Sequence, residues 1–238
     1  MWTFGASLLA GVLHGFSMAW PAFAMGDALG ITGQSFGMLQ WFSLVLLSAV
    51  LLHIASQETA SSLSPRTKTK RPWLQGMWVA GVFATAAMAS TWGWLYVSMH
   101  RYGGLPSWLA CLAVLALAMA LAVYFAVAGG AWVALYRTGF MAARKHEGRY
   151  ATHAKSYLMW SEFNMAMAGA ALFAALWTLA ELARGQWLTG FPWGAGGYAH
   201  ADSHLATYAP WLGVYGIGAL AALLAMGTPM AWAVLAAH

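Results

Sequence analysis

Charge is scarce in this chain. Of its 238 residues, 11 are Lys or Arg and 6 are Asp or Glu, so charged residues make up 7% against 61% hydrophobic ones. A mean hydropathy of +0.63 excludes one soluble core wrapped in polar surface. Cysteine is scarcer still. Cys111 is single, which excludes an intrachain disulfide framework, and the short Cys and His spacings of a structural zinc site are missing. No Lys or Arg precedes Arg66, so the basic region of a signal peptide is absent. The first apolar stretch is also longer than a signal's apolar region, and a retained first helix is expected although PAFA ending at Ala24 imitates a cleavage site. No internal repeat or domain linker is evident, and residues 1–238 read as a single membrane domain.

What is present is a series of apolar runs long enough to cross a bilayer. Windows of about 20 residues give about six helices, over Phe4 to Met25, Gln34 to Ser56, Trp73 to Met99, Ser107 to Tyr136, Tyr157 to Ala183 and Pro210 to Ala236. The fold class is therefore all-α, a polytopic membrane helix bundle. Arg66, Lys68, Lys70, Arg71, Arg137, Arg144, Lys145, Arg149 and Lys155 sit in or beside the second and fourth connections, leaving only Arg101 and Arg184 of the 11 basic residues elsewhere. The positive-inside rule places those connections and both termini in the cytoplasm. The sequence pI near 9.5 then reflects topology and attraction to anionic lipid; no nucleic-acid recognition motif accompanies it.

The unusual residues fall on the opposite face. From Trp177 to Tyr198 an apolar helix meets Glu181 and Arg184 and becomes a loop rich in aromatics and glycine. Spaced by three, those two side chains share a helix face. They read either as a structural pair fixing the helix end or as a functional one, with Arg184 contacting a lipid phosphate or the pair anchoring the loop. Phe191, Pro192, Trp193 and Tyr198 suit the membrane interface, as belt residues or as positioning groups. Trp94 and Tyr96 approach the same interface from the third helix. Glu162 and Asn164 favour a structural role. His14, His53 and His100 lie at unmatched depths, against a bis-His haem site. His200, Asp202 and His204 would line one side of an extended segment, but a polar loop is the simpler reading, so no metal and no other cofactor is expected. Gly129-Gly130 is the one obvious break inside a helix, too little for a transporter.

These segments resemble a known family. LWTLAELARGQWLTGFPWGAGGY from Leu176 is similar to the signature of apolipoprotein N-acyltransferases, and WGWLYVSMHRYGGLP from Trp92 is similar to that family's upstream helix end and Gly-Gly-x-Pro turn. APWLGVYGIGAL from Ala209 and the first helix from Gly11 to Pro21 match more loosely, and together the matches run through nearly the whole chain. The resemblance implies a bacterial inner-membrane enzyme, aromatic loops facing the periplasm, that moves an acyl chain from a phospholipid to the amino group of a lipoprotein's diacylglyceryl-cysteine. It also implies a nitrilase-like domain with a Glu, Lys and Cys triad, working through a thioester.

Nothing in these 238 residues resembles that nitrilase-like domain. Cys111 is expected to be a buried small hydrophobe, since no Lys or Glu at helical spacing would hold a thiolate there. The expectation is a fragment or truncated form that supplies no catalytic residue and is inactive alone. It would anchor and position phospholipid and lipoprotein beneath a catalytic domain through Glu181, Arg184, Phe191, Pro192, Trp193, Tyr198, Trp94 and Tyr96. The alternative is a non-catalytic scaffold or lipid-binding partner of a separate acyltransferase chain.

Overall fold

Side chains that are apolar on every side leave a helix free to bury any face, so small residues decide which faces meet. The computed structural model describes residues 2–21, 24–57, 71–140 and 155–236. Its long helices are α1 (Trp2–Met18), α2 (Gly37–Ser56), α3 (Pro72–Thr91), α4 (Ser107–Leu135), α5 (Lys155–Gln186) and α6 (Ala209–Ala236). No strand occurs among the described residues. Packing closes a ring in which α1 meets α3, α3 meets α4, α4 meets α5, α5 meets α6, α6 meets α2 and α2 returns to α1.

Glycines set the two tightest seams. A Cβ on Gly15 of α1 would come within 2.8 Å of the Ala87 carbonyl oxygen of α3. One on Gly76 of α3 would lie 2.7 Å from Val133 Cγ2 and 3.0 Å from the Gly129 carbonyl oxygen of α4. Close backbone approach through small residues is the usual device where lipid supplies no hydrophobic drive between helices. The interior is filled by Leu44, Leu47, Leu51, Phe83, Trp132 and Met226. Trp132 stacks on Tyr136 and donates its indole N–H to the Gly169 carbonyl at 3.0 Å, so the buried ring leaves no orphan donor.

Four stretches are long and apolar enough to cross a membrane by length and composition: Gly37–Ser56, Ser107–Gly139, Glu162–Gln186 and His204–Ala236. Large apolar side chains such as Trp78, Val123, Val127 and Trp232 remain exposed around the bundle, as expected where lipid is the solvent. Arg137 donates to the carbonyls of Ala55 (2.5 Å) and Gln57 (2.7 Å), tying the end of α4 to the end of α2. Of the other expected basic residues, Arg66, Lys68, Lys70, Arg144, Lys145 and Arg149 lie outside the described residues.

The structure corrects several expectations. The first helix stops at Met18 rather than Met25, because Pro21 disfavours helix at the residue before it and the Trp20 N–H and carbonyl bond instead to Gln34 and Gly33. The third helix ends at Thr91, turns at Trp92, and resumes as a short helix Gly93–Val97 and a π-turn Ser98–Tyr102. Gly129-Gly130 breaks nothing: both lie inside continuous α4, where they admit α3. The non-helical geometry falls at Gly213 in α6, with φ 63°. Cys111 is exposed on α4, not buried. Uniform apolarity carries no periodic signal to say which face turns inward.

Replacing Gly76 by Ala should therefore overpack the α3–α4 seam and cost about 1–3 kcal/mol. Gly227→Ala in α6, where an added Cβ meets nothing within 4 Å, should gain up to ~1 kcal/mol from helix propensity. Thermal unfolding of the detergent-solubilised chain measures both.

Candidate functional site

The last turn of α5 brings Glu181 and Arg184 onto one face, and both are sealed, at 2% and 1% exposure. Burial at that level costs several kcal/mol per charge unless each finds partners. Neither takes the other as a hydrogen-bond partner; both take the loop that follows. After Gln186 the chain makes a tight turn through Leu188 (φ 52°) and Gly190 (φ 72°). The turn reverses direction, and the Phe191 N–H bonds back to the Arg184 carbonyl at 2.8 Å. Arg184 Nη1 donates to the carbonyls of Phe191 at 2.6 Å and Trp193 at 2.9 Å. Glu181 Oε1 accepts the Gly196 N–H at 2.8 Å. The cation thus takes backbone acceptors and the anion a backbone donor, and the two together grip residues 191–196.

The other end of the grip comes from distant parts of the sequence. Trp92, buried at the bend after α3, donates its indole N–H to the Trp193 carbonyl at 3.3 Å and meets the Phe191 ring edge-on at 4.7 Å. Gly194 (φ 77°) lies so close that a Cβ there would sit 3.0 Å from Thr91 Cγ2. From α2, Gln40 donates to the Gly196 carbonyl at 2.5 Å, and Ser43 donates to the Gln40 carbonyl while meeting His14 Nδ1 of α1 at 3.2 Å. Trp177, one turn below Glu181, is boxed by His14, Phe83, Phe125 and Phe173. Side chains from α1, α2, α3, α4 and α5 therefore converge beneath the Gly-Phe-Pro-Trp loop.

Of the residues singled out from sequence, Glu181, Arg184, Phe191 and Trp193 are brought together directly. Arg184 faces the loop carbonyls from within the protein, at 1% exposure. Trp193 and Trp94 are both more than half exposed and meet edge-on at 6.3 Å, forming an aromatic lip on the outside of the gripped loop. Pro192 and Tyr198 are exposed on the same loop. Tyr96 stands apart: it stacks on His100 and its hydroxyl meets Ser107 Oγ at 3.0 Å, bracing the turn into α4.

The His-x-Asp-x-His segment is not extended. It runs from the end of one 3₁₀ turn, Gly196–His200, through a bend at 201–203 to the start of another, His204–Tyr208, so alternation is lost. His200 turns inward against Gly37, Asp202 accepts from the Ser35 hydroxyl at 2.8 Å, and His204 faces out. No group of three potential metal ligands converges among the described residues. Sequence reasoning missed Gln40, Ser43 and His200 as supports. A glutamine inside an apolar run was the available signal for the first, since polar groups at membrane depth are expensive and need a partner.

Arg184→Gln should cost about 3–5 kcal/mol, the scale for leaving a buried charge without its partner, whereas exposed Trp193→Ala should cost far less in thermal unfolding. Burial pushes the His200 imidazole below its usual value of 6.5. The folded state then binds fewer protons than the unfolded one, so this contribution is intact above pH 6.5 and is lost as pH falls below it. Unfolding midpoints should drop on acidification through that range, and His200→Gln should flatten the drop.

Residues 28–227 match the family model for the apolipoprotein N-acyltransferase N-terminal domain. Among curated proteins, the chain is 42% identical over 226 residues to apolipoprotein N-acyltransferase of Verminephrobacter eiseniae, covering 94% of this chain and 33% of that protein. It is 41% identical over 148 residues to the same enzyme of Ralstonia nicotianae, covering 62% of this chain and 24% of that protein. With the Pseudomonas syringae pv. tomato enzyme it shares 32% identity over 211 residues, 86% of this chain and 34% of that protein. The chain thus spans about a third of the length of the curated relatives it matches. Matched along most of its length by the family model, and carrying both aromatic motifs in contact, the chain belongs to the family of apolipoprotein N-acyltransferase N-terminal domains.

Proposed function

We propose that this chain is the membrane seat of an apolipoprotein N-acyltransferase, one domain that holds phospholipid and lipoprotein substrates beneath a nitrilase-like catalytic domain. In this reading all six long helices cross the bacterial inner membrane, both termini are cytoplasmic, and the gripped loop faces the periplasm. The carrying observation is the lock between the two aromatic motifs: Trp92 and Arg184 both hold the Trp193 carbonyl. Trp94, Trp193, Pro192 and Tyr198 are left pointing outward from a rigid base. A rigid aromatic lip at the membrane interface suits lipid positioning or domain docking, because its rings combine an apolar face with a polar edge.

The chain's own thiol takes no part in acyl transfer. Cys111 is exposed on α4, which carries no Lys or Glu at helical spacing to hold a thiolate. The acyl-carrying chemistry belongs to the catalytic domain that the relatives' greater length implies.

Two experiments test the reading. In a Cys111→Ser background, Tyr102→Cys should react with a membrane-impermeant maleimide on spheroplasts and Arg71→Cys should not; the reverse pattern contradicts the topology. Trp193→Ala, placed in a chain joined to its catalytic domain, should lower acyl transfer at least about tenfold, ~1.4 kcal/mol in the barrier, while folded yield is kept. Equal losses of activity and folded yield would reduce Trp193 to a belt residue.

A further inference from the structure

Beneath the gripped loop lies a cavity of about 20 Å³, with His14, Thr91, Trp92, Glu181, Arg184 and Gly194 in its lining. A cavity needs about 10–15 Å³ on this measure, and two to four polar partners, to hold a water molecule. The partners are present. Glu181 Oε2 and Arg184 Nε are buried polar atoms that make no hydrogen bond of full geometry, although the other ends of the same groups are engaged by the loop and the Trp177 indole stands beside the carboxylate. Leaving either unmade costs about 1–3 kcal/mol, more for a charged group, so a partner shared by both residues, which line one small polar cavity, would offset that cost.

We propose that this cavity is a binding site for one ordered water, which accepts the Arg184 Nε–H and donates to Glu181 Oε2, with His14 as its third polar wall. The site is neutral overall, since anion and cation face it together. That composition suits a water better than an ion, and the cavity is too small for anything larger. The water completes the grip. It links the two charges that otherwise act on separate parts of the loop, so that Glu181, Arg184 and α1 hold residues 191–196 as one unit. This inference is independent of the acyltransferase reading, because it depends only on the buried pair and the cavity.

An experimental structure of the wild-type chain, at a resolution that shows ordered water, should hold a density peak within hydrogen-bonding distance of both Glu181 Oε2 and Arg184 Nε. A featureless cavity between well-ordered side chains would overturn the proposal, as would a direct Glu181–Arg184 contact that closes it. X-ray radiolysis read by mass spectrometry gives a second measure, because hydroxyl radicals form where water is held. Trp92, which lines the cavity, should be oxidised several-fold faster than Trp132, which is about as deeply buried elsewhere. Equal oxidation of the two tryptophans would contradict a water at this site.

Discussion

Two charges buried in an apolar bundle can be kept only if something polar comes to them. In this chain the something is the backbone of its own next loop. Glu181 takes an N–H from Gly196, and Arg184 takes carbonyls from Phe191 and Trp193. The attraction between the charges offsets part of the cost of burying them, but the specific bonds go to the loop. A segment that would otherwise be free to move is thereby fixed to the end of a helix. Trp92, Gln40 and, through Ser43, His14 carry that fixation into α1, α2 and the end of α3.

The ring of helices exists in a form that allows this convergence. Glycine seams draw α1 against α3 and α3 against α4, which brings the end of α3 close enough for Trp92 to reach the loop. Bending of the chain at Trp92 then turns Trp94 outward beside Trp193. Residues about a hundred positions apart become one lip. Fixed placement of those aromatic groups is what supports the proposed role in positioning a lipid chain or docking a domain.

Much of this was legible in the sequence. Scarce charge and long apolar runs fixed the class, and the position of Glu181 and Arg184 beside Gly-Phe-Pro-Trp marked the loop. The Trp92 segment carried the complementary signal, and the structure brings the two into contact. Other features were illegible for physical reasons. Hydropathy that is uniform around a helix gives no phase, so the outward face of Cys111 on α4 could not be read. Glycine signals either a break or a close contact, and Gly129-Gly130 proved to be contact while the interruptions fell at Trp92 and Gly213. Gln40 meets the distant loop at Gly196 and His200 meets Gly37 of α2, and a single sequence does not pair them.

The central claim is that the buried charges hold the loop against the end of α3. Thr91 Cβ and the Cβ position at Gly194 are 3.9 Å apart, within the range of about 3.5–4.5 Å that a disulfide spans. The direct measurement is the rate of cross-linking in a Thr91→Cys, Gly194→Cys chain lacking Cys111, with Arg184 retained or replaced by Gln. Rapid cross-linking with Arg184 and markedly slower cross-linking without it is the predicted result. Cross-linking that is equally fast without Arg184 would contradict the account.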